Sequence, residues 1–220
     1  YAAVSSGSLT IEGEVLEWEQ LPRDRGPGCR YWEWIDELER QLGARTAGYD
    51  KVVYVAPEVP ECSMDGAVDR IGGRWAFVNG PATSEPWLAV VGHELGHLLG
   101  ADHAGSATCS DPSGAAVPLS SSCRSRPYGD PFDIMGRGNH HYPNANHLAA
   151  MGLLPPSSVM TVVASGNYEI APLATSGAAP RQVRIPYDRD EDGTTRYLLL
   201  EYRRPSTFDD FAPGDAVVTG

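Results

Sequence analysis

The segment VVGHELGHLLGADH, Val90–His103, holds three histidines and a glutamate within fourteen residues. His93 and His97 are four positions apart, so on a helix their imidazoles project from one face, one turn apart, and can bind the same metal ion. Glu94 follows His93 directly and can reach a water molecule on that ion without binding the ion itself. The segment therefore predicts a helix that carries two metal ligands and a general base.

A third ligand is predicted where this helix ends. Gly100 lies three residues after His97, where a glycine can adopt a positive φ and stop the helix abruptly. The chain can then turn back, so that His103 supplies another imidazole. Three neutral imidazoles and one open position describe a catalytic zinc ion, whereas a structural zinc ion normally has four protein ligands. The alternative interpretation is an apolar core helix, which would need a buried partner for each histidine.

The residues before this segment predict strands and a helix in alternation. Residues 8–18 alternate as in a first strand, and residues 51–57 form a short apolar run typical of a buried strand. Between them, residues 29–43 show a helical pattern with Gly43 as its cap. Strand, helix and strand in this order indicate a right-handed crossover and some parallel sheet. The predicted apolar face of the helix comprises Trp32, Ile35, Leu38 and Leu42.

A hairpin is predicted immediately before the histidine segment. Residues 65–80 contain two short strand patterns around Gly72–Gly73, as expected near a sheet edge. The helix with the histidines is predicted to begin at Glu85–Pro86, where proline is tolerated, with Thr83 or Ser84 as its cap.

The remaining residues predict a long loop, a short helix and a β-rich module. Residues 104–132 are mostly Gly, Ser, Pro and Asp, and structureless stretches of this length are usually functional or disulfide-linked. Residues 144–154 predict a short helix. We expect an α+β protein with a catalytic domain at 1–155 and a small β-rich module at 156–220. The strands predicted in that module are residues 159–174, 181–188 and 195–204.

The four cysteines indicate disulfides rather than a structural zinc site, since none lies in a Cys-x-x-Cys pair. Three pairings are possible in principle. Proximity in the sequence favours Cys109–Cys123, which leaves Cys29–Cys62. Disulfides would indicate an oxidising compartment. The alternative is a cytosolic protein with four buried thiols.

The composition limits the kinds of partner. A net charge of −12 argues against nucleic acid or an anionic membrane, because either calls for a basic face. No run of residues approaches the ~18–20 apolar residues that a membrane helix needs. The chain begins at Tyr1 without a basic leader, so we expect a mature or excised fragment. Because it ends at AVVTG, we also expect the native protein to continue beyond this sequence.

The sequence HELGHLLGADH resembles the long zinc signature of the metzincin metalloproteases. The segment DIMG, Asp133–Gly136, matches the methionine turn that those proteases carry beneath the zinc site. Its surroundings, YGDPFDIMGRG, and the segment NANHLAAMGLL are most similar to the gametolysin-like metzincins. The resemblance covers residues 88–154. It implies an upper subdomain of roughly residues 1–100, with a mixed sheet and the zinc-site helix, and a loop-rich lower subdomain at 101–155.

The resemblance implies roles for five residues, and the chemistry of four of them agrees with it. Zinc lowers the pKa of a bound water molecule, and a neighbouring carboxylate can take its proton and pass it to the leaving amine. The implied roles are His93, His97 and His103 as zinc ligands, Glu94 as general base and acid, and Met135 as the Met-turn residue. The role of Met135 rests on the resemblance alone.

Some metzincins use a tyrosine shortly after the methionine turn beside the zinc ion. Tyr142, His140 and His141 are the candidates here for an oxyanion or pocket role, with surface or packing roles as the alternative. Residues around Val68–Gly73 are candidates to pair, as an edge strand, with an extended peptide substrate.

A weaker pattern lies near the C-terminus. The segment YDRDEDG places Asp188, Asp190 and Asp192 at the spacing that begins a calcium-binding loop. The twelfth position of that loop is Leu199 instead of glutamate, and strand patterns flank the segment. An acidic hairpin turn is the favoured interpretation, and Ca²⁺ binding is the alternative.

Together these patterns predict a secreted, monomeric zinc metalloendopeptidase whose partner is a protein or peptide substrate. One alternative is a zinc-binding scaffold or adhesion module without turnover, against which the intact Glu94 argues. The other is a hydrolase of a different amide, such as one in a cell-wall substrate. The motif constrains the chemistry at zinc much more tightly than the substrate.

Overall fold

The structure, a computed structural model, describes residues 1–21, 28–80, 85–119, 122–136, 140–206 and 208–210. Its α-helices are α1 Tyr31–Thr46, α2 Glu85–Leu99 and α3 Ala145–Ala150, and short 3-10 helices span Ala2–Val4 and Pro156–Ser158. Its strands are β1 Val52–Ala56, β2 Gly66–Val68, β3 Trp75–Asn79, β4 Ser106–Cys109, β5 Cys123–Arg126, β6 Val159–Thr161, β7 Gln182–Arg189 and β8 Thr195–Leu200. This mixture of helices and small sheets confirms the predicted α+β class.

The chain divides into two compact units. The first unit is Ile11–Ala101, and the second unit combines Tyr1–Thr10 with the chain from Asp102 onward. This division falls directly after α2. The separate division predicted at residue 155 stays a prediction.

The first unit contains a three-stranded sheet in the order β1-β3-β2. β1 and β3 are parallel, with Val53 opposite Ala76, whereas β2 is antiparallel to β3, with Ala67 opposite Phe77. The strand predicted at residues 51–57, the hairpin and the presence of parallel sheet are therefore confirmed, although only Tyr54 of β1 is buried. β2 occupies one edge of this sheet.

The prediction of a first strand at residues 8–18 was wrong, because these residues form no strand. The side chains of Ile11 and Val15 are exposed, Val15 almost completely at 99%. An alternating pattern makes a strand only where a neighbour accepts its backbone hydrogen bonds and a core covers its apolar face. The parallel pairing consequently joins β1 to β3 rather than residues 8–18 to β1.

Helix α1 is confirmed but differs from its prediction in two details. Gly43 lies inside the helix, which continues to Thr46, so it is not the cap. Trp32 is exposed, and the helix instead buries Tyr31 and Trp34 in the core of the first unit. A helix buries positions three or four apart, and Trp32 lies beside that apolar stripe rather than within it. The other buried members of this core are Ile35, Tyr54, Cys62 and Phe77.

The second unit begins with a hairpin in the stretch predicted to be a structureless loop. β4 and β5 pair antiparallel, and the register places Cys109 opposite Cys123. These two cysteines form a disulfide. The predicted disulfide link of this stretch is confirmed, and the prediction that it lacks regular structure was wrong for Ser106–Cys109 and Cys123–Arg126, which pair although their composition is typical of a loop.

The rest of the second unit confirms the predicted short helix and β-rich tail. β6 is parallel to β7, and β7 is antiparallel to β8. The strand predicted at residues 159–174 is much shorter, since only Val159–Thr161 is in β6. Helix α3 lies in a core with residues from both ends of this unit: Val4, Tyr142, Ala145, Leu148, Leu153, Leu154 and Leu173.

Both predicted disulfides are present, one in each unit. Cys29–Cys62 lies in the first unit and Cys109–Cys123 in the second. None of the helices in the described ranges has the length and apolar character that a bilayer crossing requires.

Candidate metal centre

Two of the three predicted ligands project from helix α2. The rings of His93 and His97 meet edge to face with centroids 4.8 Å apart, as four-residue spacing on a helix requires. His97 is buried, and its Nδ1 lies 2.8 Å from the carbonyl oxygen of Ala101. Because a carbonyl only accepts hydrogen bonds, Nδ1 must carry the proton. A metal ion would therefore bind His97 through Nε2, and the bond at Nδ1 sets the orientation of the ring.

The predicted turn after α2 is present and returns the chain as expected. The amide of Gly100 donates to the carbonyl of His97 at 3.0 Å, and the amide of Ala101 donates to that of Gly96 at 3.0 Å. Gly100 has φ of +114°, a conformation that residues with a Cβ rarely adopt. Three residues later, a ring nitrogen of His103 meets those of His93 and His97, all within 4.8 Å of one another.

This set of donors suits a metal ion. In the part of the chain that the structure describes, it is the one group of three or more His, Cys, Asp or Glu side chains whose ligand atoms converge in this way. It forms within eleven consecutive residues, from the last turns of a helix and the bend that follows it. Three imidazole nitrogens are borderline ligands that divalent zinc and its first-row neighbours accept. The three histidines could thus hold a metal ion, as the sequence predicts.

The carboxylate of Glu94 is buried next to this group on the same helix. Its exposure is 6%, and it lies against the backbone of β2, where a Cβ at Gly66 would overlap Glu94 Oε1. Burial raises the pKa of Glu94 to about 7, and the charge of Asp65 adds to this effect. A carboxyl with a pKa near neutrality can exchange protons with water at ordinary pH. A cation held by the histidines would lower that pKa by favouring the charged form.

Met135 lies in a tight turn of the second unit and is completely buried. Its amide donates to Asp133 Oδ1 at 2.7 Å, and its carbonyl accepts from the amide of Ala104 at 2.9 Å. The turn is therefore bonded directly to the residue after His103. Its role as a Met-turn beneath zinc stays a prediction.

A buried pair that the sequence did not predict, Asp133 and His147, holds this turn in place. Asp133 is completely buried, and its Oδ2 accepts from His147 Nδ1 at 2.7 Å and from the amide of Asn144 at 2.7 Å. Asn144 also caps α3 by accepting from the amide of His147 at 2.9 Å. The signal in the sequence was an acidic residue and a histidine flanking Met135 in otherwise apolar segments, where each needs a partner when buried.

The three residues predicted to line the site after Met135 have other contacts. Tyr142 is buried in the core of the second unit, and its ring meets Phe208 edge to face with centroids 5.5 Å apart. His141 Nδ1 lies 2.8 Å from the carbonyl oxygen of Phe208, and His140 is exposed. The alternative of packing and surface roles describes these contacts. An oxyanion or pocket role for any of them stays a prediction.

A residue that the sequence analysis did not consider, Tyr128, contacts the third ligand. Its ring centroid is 3.8 Å from that of His103, with the two planes inclined by 40°. Tyr128 lies just after β5 in the second unit. Only the pairing of β4 with β5 brings it to His103, so no spacing in the sequence indicated the contact.

The acidic segment near the C-terminus forms the turn between β7 and β8, as favoured over a calcium loop. Asp190 Oδ1 lies 3.0 Å from Arg196 Nε, and Asp188 Oδ2 lies 3.9 Å from Arg196 Nη1. Asp192 Oδ1 accepts from the amide of Thr194 at 2.9 Å. These carboxylates thus have partners within the hairpin, and Ca²⁺ binding stays a prediction.

No family model matches the chain, and no curated protein or solved structure is significantly similar to it.

Proposed function

We propose that this chain is a zinc-dependent endopeptidase of the metzincin type. The observation that carries the proposal is the convergence of ring nitrogens from His93, His97 and His103 beside the buried carboxylate of Glu94. Three imidazoles leave a coordination position for the reacting groups, which distinguishes a catalytic from a structural zinc site. The long histidine signature and the methionine turn, which resemble those of metzincins, favour zinc over other metals.

Glu94 performs the proton transfers in this mechanism. When bound, zinc supplies a Lewis acid that polarises the scissile carbonyl and makes water a stronger acid. Glu94 accepts a proton as the water oxygen bonds to the carbonyl carbon, and it donates that proton to the amide nitrogen as the C–N bond breaks. The close approach of Gly66 keeps this carboxylate in place, and burial raises its pKa, which strengthens it as the base that accepts the proton.

Strand β2 is the proposed place for the substrate backbone. It is an edge strand of the first unit, and its residue Gly66 lies against Glu94. An extended peptide that adds to an exposed sheet edge forms backbone hydrogen bonds whatever its side chains are. A peptide paired here would therefore pass next to the general base. Gly66–Val68 are therefore better placed to pair with a substrate than the turn residues that follow them.

Secretion is proposed on the same grounds. Two disulfides and the absence of a membrane-spanning helix in the described residues are compatible with an extracellular protein. Disulfides persist in oxidising compartments and are rare in the cytosol.

A diverse peptide library tests the proposal directly. The wild type loaded with Zn²⁺ should cleave peptides, and both a zinc chelator and Glu94→Ala should abolish cleavage. Glu12→Ala, at an exposed glutamate, is the matched control and should cleave as the wild type does. Cleavage that survives the chelator or Glu94→Ala would overturn the mechanism. A zinc-loaded wild type that cleaves nothing would favour the scaffold or another amide substrate.

A further inference from the structure

Tyr128 combines an unusual backbone with a contact to a metal ligand. Its φ is +57°, and of the non-glycine residues that the structure describes only Ser6 also has positive φ. The left-handed conformation is unfavourable for a bulky side chain, and turns that need it usually contain Gly, Asn or Asp. Strained residues of this kind cluster at functional sites. The strained backbone of Tyr128 places its ring against His103, one of the three candidate metal ligands.

The backbone around Tyr128 is bonded to the segment that carries His103. The amide of Asp130 donates to the carbonyl of Ala104 at 3.1 Å, and the amide of Gly129 donates to that of Arg126 at 3.1 Å. A Cβ at Gly129 would overlap the side chain of Ser106, so the two segments approach closely. The phenol ring is therefore held beside His103 by backbone on both sides of Tyr128.

The strands next to Tyr128 and His103 are themselves held together by the β4–β5 hairpin. β4 and β5 pair from Ser106 opposite Arg126 to Cys109 opposite Cys123, where the disulfide closes the hairpin. Tyr128 lies two residues after the end of β5, and His103 lies three residues before the start of β4. The disulfide-linked hairpin thus sets the distance between these two residues.

We propose that Tyr128 is a positioning residue that orients the imidazole of His103 for metal binding. This inference rests on the metal site of the proposed function. His93 and His97 are oriented by their helix, whereas His103 lies on an irregular segment after Gly100. The Tyr128 ring limits the rotation of the His103 side chain and so reduces the entropy lost when the metal binds.

Two substitutions distinguish the effect of the Tyr128 ring from the effect of its left-handed backbone. Tyr128→Asn removes the ring but suits a left-handed backbone, so the chain should fold normally. It should weaken Zn²⁺ binding about tenfold and change the visible absorption of the Co²⁺-loaded protein, in line with other residues that support metal ligands. Tyr128→Phe keeps the ring and should bind Zn²⁺ within about twofold of the wild type, if packing rather than the hydroxyl orients His103.

The matched control is Ser6→Asn, which makes the same kind of change at the other left-handed position. It should leave Zn²⁺ affinity and the Co²⁺ spectrum unchanged. Affinity is measured by competition with a chromogenic chelator, and circular dichroism of the metal-free proteins verifies folding. Wild-type affinity and an unchanged Co²⁺ spectrum in Tyr128→Asn would overturn the positioning role.

These readouts do not depend on peptide cleavage. If Tyr128→Asn weakens binding while the wild type cleaves no peptide, the positioning role stands and the proposed peptidase activity fails. If the wild type cleaves peptides and Tyr128→Asn binds Zn²⁺ normally, only the positioning role fails. A wild type that binds neither Zn²⁺ nor Co²⁺ overturns both.

Discussion

Glu94 is a residue whose burial opposes stability when its carboxyl group is charged. A buried carboxylate loses hydration, and hydrogen bonds or a positive charge nearby must replace it if the charged form is to be stable. The residues near it add negative charge instead, since Asp65 raises its pKa further. Glu94 therefore destabilises the metal-free fold once it ionises. A bound cation should relieve this conflict.

The pH dependence of stability follows from this conflict. The pKa of Glu94 rises from an ordinary value of 4.5 to about 7 in the folded protein. Between these values the unfolded chain binds fewer protons than the folded one, so the free energy of unfolding falls as pH rises. With metal removed, we expect Glu94→Gln to be about 3 kcal/mol more stable than the wild type at about pH 8. At about pH 3, where both states hold the proton, the difference should vanish.

Urea denaturation in the presence of a chelator measures the difference in the free energy of unfolding between Glu94→Gln and the wild type at each pH. The control is Glu12→Gln, at an exposed position, for which no such pH-dependent difference is expected. An equal effect of Glu94→Gln at both pH values would contradict the role assigned to ionisation.

Gly66 is the second residue whose type matters at the site. A methyl group there would overlap the carboxylate of Glu94 and must displace it. We expect Gly66→Ala to lower kcat at least about tenfold, because general bases act only within hydrogen-bonding distance of the transferred proton. Zn²⁺ affinity should stay near that of the wild type, since the three histidines are unchanged.

Steady-state kinetics and chelator competition measure these two effects. Gly43→Ala is the matched control, because a Cβ at that position in α1 would meet no atom within 4 Å. It should keep full activity and gain about 0.5–1 kcal/mol of stability, since alanine favours a helix over glycine. Full activity in Gly66→Ala would show that Glu94 does not need its present position.

At the scale of elements, side-chain hydrogen bonds stabilise an irregular segment that has no helical or strand hydrogen bonds of its own. The turn at Met135 has no regular structure, yet Asp133 bonds both to that turn and to the start of α3. His147 completes the arrangement from within α3. A buried carboxylate that loses its strongest partner is left with a large desolvation penalty.

His147→Ala should therefore destabilise the protein by about 2–4 kcal/mol, because the buried carboxyl group of Asp133 loses its hydrogen bond with the imidazole, although two backbone amides still donate to it. Chemical denaturation at neutral pH measures the loss, with exposed His140→Ala as a control that should change stability little. The double variant His147→Ala with Asp133→Ala should recover part of the loss. A destabilisation no larger than that of His140→Ala would contradict the role of this pair.

At the scale of the whole molecule, each compact unit contains one disulfide. Cys29 and Cys62 are 33 positions apart, whereas Cys109 and Cys123 are 14 apart. A disulfide restricts the unfolded chain more when it closes a longer loop. The two disulfides should therefore contribute unequally to stability.

Replacing Cys29 and Cys62 together with alanine should lower the free energy of unfolding by about 4 kcal/mol, and replacing the other pair by about 3 kcal/mol. Denaturant unfolding of the two variants, monitored by near-ultraviolet circular dichroism, checks the order. A larger loss from the Cys109–Cys123 pair would contradict the loop-length argument and would indicate that strain or residual structure dominates.

The sequence by itself determined the parts of this protein that depend on short-range spacing. Four-residue spacing places His93 and His97 on one face of a helix, and Gly100 permits the turn that returns His103. Loop closure likewise favours the nearer cysteines, so the pairing could be predicted. These features follow from local geometry, which a few consecutive residues specify almost completely.

Only the tertiary structure decided the features that need a distant partner. Residues 8–18 alternate like a strand, yet no strand pairs with them, whereas β4 and β5 pair despite a composition typical of loops. The contact of Tyr128 with His103 depends on that hairpin, and the environment of Glu94 depends on β2. Backbone hydrogen bonds between strands and the burial of charge involve residues far apart in the chain, so no local pattern encodes them.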